Sequence, residues 1–172
     1  GFTIAQTGGS TSVAETGTTD TFTVVLDAQP ASDVVLTVTS SDTGEATVTS
    51  TLTFTPLNWN TAQTVTVTGV DDNLIDGTTS STVTINVIDA ISDDNFDSVA
   101  SQTVTATTTD NDVAGFTVTE TGGSTAVAET GTTDTFTVVL NAQPASNVVL
   151  TVTSNDTGET TVNTPLTFTN AN

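Results

Sequence analysis

Ala62-Gln63-Thr64-Val65-Thr66-Val67-Thr68 alternates without a break and runs straight into Gly69-Val70-Asp71-Asp72-Asn73-Leu74-Ile75-Asp76-Gly77. A period of two puts every second side chain on one face of an extended strand, and β-branched Val and Thr stiffen that conformation. The stretch therefore predicts a strand that ends in a loop carrying three carboxylates. The chain has 20 Asp and Glu, no Lys, no Arg and no His, for a formal charge of −20. No side-chain cation exists to neutralise the loop. Crowded carboxylates repel one another and raise their own pKa values. A hard cation with oxygen ligands removes that repulsion, and calcium suits this ligand set best.

The same period runs through the rest of the first hundred residues. Phe22, Val24 and Leu26 alternate with Thr21, Thr23 and Val25; Leu36 and Val38 with Thr37 and Thr39; Leu52 and Phe54 with Thr51, Thr53 and Thr55. Val83, Ile85 and Val87 follow, then Val104 and Ala106. No apolar stripe has helical spacing. About seven short strands with polar turns in about 110 residues is the signature of a β-sandwich. The expected core is Val, Leu, Ile and Phe, with the single Trp59.

An internal repeat sets the domain organisation. Gly1-Phe2-Thr3-Ile4 returns as Gly115-Phe116-Thr117-Val118, and residues 1–58 differ from 115–172 at 13 positions of 58. The expectation is one complete repeat over 1–114 and the first half of a near-identical one over 115–172. Residues 115–172 contain no counterpart of Trp59 or of Asp71-Asp72, so this half is expected to need strands from a continuing array or from a neighbouring chain.

Counting strand directions, with each connection reversing the chain, brings Glu15, Asp42, Asp71, Asp72, Asp76, Asp110 and Asp112 to one end. The chain leaves the repeat at that end, so the acids are expected at a junction between repeats. A second acidic stretch, Asp89 to Asp97, falls at the opposite end and reads equally well as a cation site or a polar loop.

Composition excludes several functions. A surface of this charge repels nucleic acid and anionic membranes, and no apolar run approaches the roughly 18 residues of a membrane helix. Without His or Cys there is no catalytic triad, cysteine nucleophile or zinc–thiolate site. A carboxylate pair for glycoside hydrolysis fits poorly with acids held as shared metal ligands. No enzyme is expected. The absence of Lys and Arg removes every site for trypsin-like proteases, which suits an exposed extracellular protein.

These residues together resemble the Calx-beta family of β-sandwiches. The resemblance rests on Val13-Ala14-Glu15-Thr16-Gly17 leading into Phe22-Thr23-Val24-Val25-Leu26, then Ser41-Asp42-Thr43-Gly44, Leu52-Thr53-Phe54-Thr55, Thr66 to Asp72 and Asp110-Asn111-Asp112. Leu57 to Val65 looks like repeats of giant bacterial adhesins. The resemblance implies tandem seven-stranded antiparallel β-sandwiches, Ig-like in outline. It implies calcium ligands at Glu15, Asp42, Asp71, Asp72, Asp76, Asp110, Asn111 and Asp112, where Asn111 replaces the middle of three Asp. It further implies a calcium-stiffened stalk at the bacterial cell surface, whose partners are adjacent repeats and, in a filament, identical chains. Alternatives are an adhesive or gliding surface along the array, a filament polymerised by strand exchange, and an ice-binding array of outward threonines. The threonines also suit an ordinary solvated sheet face.

Overall fold

In the computed structural model, which describes residues 1–171, the alternating stretch that ends at Gly69 lies inside a sheet rather than at its edge. The first unit comprises residues 1–72 and 76–111. Its strands are β1 (Phe2–Gln6), β2 (Thr11–Ala14), β3 (Thr19–Leu26), β4 (Val34–Ser40), β5 (Ala46–Val48), β6 (Thr51–Phe54), β7 (Gln63–Gly69), β8 (Thr79–Val87) and β9 (Gln102–Thr109). One sheet has the order β1-β3-β7-β5 and the other β2-β9-β8-β4-β6.

The seven expected strands appear as nine because two of them cross between the sheets. The first breaks at Thr7–Gly9, where Gly8 and Gly9 take φ values of 70° and 85°. Residues with a Cβ rarely adopt that region, so the glycines permit the bend that sends β2 to the opposite sheet. The fourth splits in the same way: β5 pairs with β7, and β6 with β4. The crossing also corrects the expectation of a wholly antiparallel sandwich. β2 runs parallel to β9, with Val13 opposite Thr108, because the first and last strands point the same way.

The core follows from the alternation. Phe22, Val24, Val34, Leu36, Phe54, Val65, Val67, Val83 and Ile85 are all fully buried between the sheets. Each such side chain contributes about 1.5–3 kcal/mol relative to exposure. Trp59 departs from its expected place: it is only partly buried and packs against the rim of this cluster. Its segment, Pro56 to Thr61, is a turn rather than a strand, so no alternation directs the indole inward.

The second unit comprises residues 73–75 and 112–172. Its strands are β10 (Phe116–Glu120), β11 (Phe136–Leu140), β12 (Val148–Leu150) and β13 (Leu166–Phe168). β10 pairs with β11 and β12 with β13, as two separate two-stranded sheets. None of its described residues is buried. Among the described residues no helix is long and apolar enough to cross a membrane.

Candidate metal centre

Towards one end of the first unit, the inward faces of the strands turn from apolar to polar. Along β8 they read Val87, Ile85 and Val83, then Ser81 and Thr79; along β9 they read Val104, Ala106 and Thr108. On β2 the inward series is Thr11 and Val13, and Glu15 continues it one step beyond the strand. The period that builds the core thus delivers a carboxylate into its end. Glu15 is 1% exposed.

A second buried acid meets it. Glu45, 9% exposed, stands immediately before β5. The Thr79 hydroxyl donates to its Oε2, and the Thr108 hydroxyl donates to its main-chain carbonyl. Carboxylate oxygens of Glu15, Glu45 and Asp76 all lie within 4.8 Å of one another, and those of Glu15 and Asp110 approach equally closely. Sequence reasoning missed Glu45. The available signal was the acid directly before buried Ala46, repeated unchanged in Asp156-Thr157-Gly158-Glu159.

Burial pushes the Glu15 carboxyl above its ordinary range. The Asn111 N–H opposes that shift, and the charges of Asp110, Asp72 and Asp76 add to it. For Glu45 the largest influence is the Thr79 hydroxyl, which favours the ionised form. Burial and the neighbouring Asp76 and Asp42 outweigh it, and the pKa is again raised. Both acids are therefore held where their charge is disfavoured and no base can compensate.

The other expected ligands surround this pair. Asp110 Oδ2 accepts the Gly77 N–H at 2.8 Å, which fastens the acidic loop to the end of β9. Asn111 donates its backbone N–H to Glu15 Oε2 at 3.1 Å and its side-chain amide to Asp71 Oδ1 at 2.9 Å. Asp72 is half-buried, whereas Asp71 and Asp76 are exposed. Asp42 is exposed as well, and its Oδ1 accepts the Gly44 N–H at 2.9 Å, so it shapes the turn that presents Glu45. Asp112 falls in the second unit.

Gly69 allows these loops to close. A Cβ on Gly69 would stand 2.1 Å from the carbonyl oxygen of Ala14, so β7 reaches the residue before Glu15 only because that atom is missing.

The opposite acidic stretch is built differently. Asp93 is 4% exposed and accepts the N–H groups of Ala31, Ser32 and Asn95, together with the Asn95 amide. These donors pull its pKa down to about 2. Phe96 is buried beside it. Asp93 therefore acts as the hydrogen-bonding hub of a loop, with its charge satisfied by the backbone.

No family model matches the chain, and no curated protein matches it. Solved structures similar to it include the E. coli chaperone DraB, at 10% identity over 67% of this chain with a TM-score of 0.47. The match spans 58% of DraB. The apo-form Calx CBD1 domain aligns at 12% identity over 64% of this chain and 98% of its own, with a TM-score of 0.42. The CBD12 portion of CALX1.2 aligns at 12% identity over 81% of this chain and 69% of its own, with a TM-score of 0.45. These are likenesses of β-sandwich fold and carry nothing about ligands.

Proposed function

We propose that the chain is a structural segment of an extracellular cell-surface protein, built of tandem β-sandwich modules that calcium locks at their acidic ends. The observation that carries this reading is the meeting of two buried carboxylates, Glu15 and Glu45, with Asp76 in a chain without a single basic side chain. The donor set is all oxygen and comes from separate loops, a combination that suits the large, flexible coordination shell of calcium better than the small octahedral one of magnesium.

Glu15, Glu45 and Asp76 would hold the ion, with Asp110 beside Glu15 and with Asp71, Asp72 and Asp42 close by. The bound cation would supply the positive charge that the chain lacks. Asn111 and Gly77 hold the end of β9 and the acidic loop in place around it. Extracellular modules of this kind bind at roughly 10⁻⁴ to 10⁻³ M, matched to calcium outside cells. This reading gives the acids a mechanical role rather than a catalytic one: the chain leaves the first unit at this end, so an ion there stiffens the exit into the next module. Such an array would serve as the stalk of an adhesin.

Small-angle scattering of the chain in calcium and in chelator tests the mechanical part. Stiffening predicts a smaller spread of dimensions in calcium. Identical profiles would remove the stalk mechanism.

A further inference from the structure

Six polar side chains are buried among the described residues: Thr11, Glu15, Glu45, Ser81, Asp93 and Thr108. Five of them have hydrogen-bond partners. The Thr11 hydroxyl donates to Gln6 Oε1 at 3.0 Å, and that of Thr108 to the Glu45 carbonyl at 3.3 Å. Glu15 accepts the Asn111 N–H, Glu45 accepts the Thr79 hydroxyl, and Asp93 accepts three backbone N–H groups. Ser81 differs. Its Oγ is enclosed, and among the described residues no atom hydrogen-bonds to it. Buried polar atoms are nearly always paired, so this exception calls for a cause.

Strand register places the hydroxyl one level below the acidic cluster. Ser81 lies opposite Ala106 on β9, and Ala106 opposite Thr11 on β2. One inward step along, Thr79 lies opposite Thr108, and both of those hydroxyls are engaged by Glu45. Ser81 and Thr79 share the inward face of β8, and two residues of strand separate them by about 7 Å. A direct bond from Ser81 to the carboxylate that Thr79 holds is too long, whereas two hydrogen bonds through one water cover such a span. Val13 and Ala106, the inward neighbours on β2 and β9, are buried and apolar and offer a water nothing. Ser81 is thus the inward polar group at this depth that no other residue uses.

We propose that Ser81 is the inner positioning residue of the cation site: when the site is loaded, its hydroxyl holds one water against the carboxylates of the site.

This role rests on the calcium reading and adds a residue to it. Calcium takes six to eight oxygen ligands and commonly keeps water among them. Glu15, Glu45 and Asp76 bring carboxylate oxygens within 4.8 Å of one another. A water on the core side of that group needs a hydrogen-bond partner, and the Ser81 Oγ is the atom available to it. Fixing that water fixes how deeply the carboxylates and their cation sit. In the metal-free protein the hydroxyl has no such task, and its burial without a partner is a burden.

The test is calorimetric titration of the full chain with calcium, together with melting curves in calcium and in chelator, for the parent, Ser81→Ala and Ser80→Ala. Ser80 is the exposed neighbour on the outward face of the same strand and serves as the control. Ser81→Ala should bind calcium about tenfold more weakly or worse, the usual cost of removing a group that orients metal ligands. In chelator it should melt at or above the parent, because only an unpaired hydroxyl is lost. Ser80→Ala should match the parent in both media. Unchanged affinity in Ser81→Ala, with the parent binding normally, would remove Ser81 from the site and leave the calcium reading standing. An equal fall in melting temperature in both media, with affinity unchanged, would make the serine a packing residue and overturn the proposal. A parent that binds no calcium would sink the calcium reading itself, and this role with it.

Discussion

The backbone N–H of Asn111 donates to Glu15 Oε2 at 3.1 Å across 96 residues of sequence. The second residue beyond β9 therefore closes over the carboxylate that lies one residue beyond β2. Its side-chain amide reaches Asp71 at the same time. Three separated acidic segments are thus held together by one amide residue, in a chain with no cation to do it.

Replacing Glu15 or Glu45 with Gln should have opposite effects in the two metal states. Gln keeps an acceptor for Asn111 or Thr79 and removes a buried charge. In chelator each variant should melt higher than the parent, by roughly 5 °C. In calcium each should melt lower than the parent, because a ligand is lost. Scanning calorimetry checks both signs, and a lower melting point in chelator would show that the buried charge is not a burden.

The raised pKa values of Glu15 and Glu45 set the pH dependence of the metal-free protein. The folded state binds these protons more tightly than the unfolded state, whose carboxyls titrate near 4.5. The stabilisation is fully present below 4.5 and is lost as pH rises through the folded values. In chelator, thermal stability should therefore climb as pH falls from 7 towards 4.5. In calcium the trend should flatten or reverse, because protons then compete with the ion. Melting curves across this range in both media give the answer.

Asp93 runs the other way. Its pKa is depressed to about 2 from 3.8, so its contribution is present above 3.8 and lost as pH falls through about 2. Asp93→Ala strands the N–H groups of Ala31, Ser32 and Asn95 and should lower the melting temperature by roughly 5–10 °C at neutral pH. The loss should be the same in calcium and in chelator. A loss confined to calcium would instead make this loop a metal site.

Gly69→Ala places a Cβ against the Ala14 carbonyl and forces β2 away from β7. Overpacking of this kind costs about 1–3 kcal/mol. The variant should also bind calcium more weakly, because Glu15 follows directly on Ala14. Denaturant unfolding and metal titration measure the two effects separately.

Much of the architecture was legible because alternation is a local property. Phe22 to Leu26 and Val83 to Val87 announce both strand and inward face. The split of the first strand was not legible, since Gly8 and Gly9 read as a turn without saying which sheet follows. Trp59 misled for a related reason: a large apolar residue suggests core, but its turn has no alternation to aim it. Within the candidate site, counting strand directions located the acidic end. It could not find Glu45, whose burial comes from the Asp42–Gly44 turn and from hydroxyls on two distant strands.

The most direct test is calorimetric titration of the full chain with calcium, paired with melting curves of the parent and of the double variant Glu15→Gln/Glu45→Gln. The account predicts saturable binding by the parent at roughly 10⁻⁴ to 10⁻³ M, with an upward melting shift that the double variant loses. No heat of binding and no shift in the parent would contradict it, leaving a β-sandwich whose buried acids are carried without an ion.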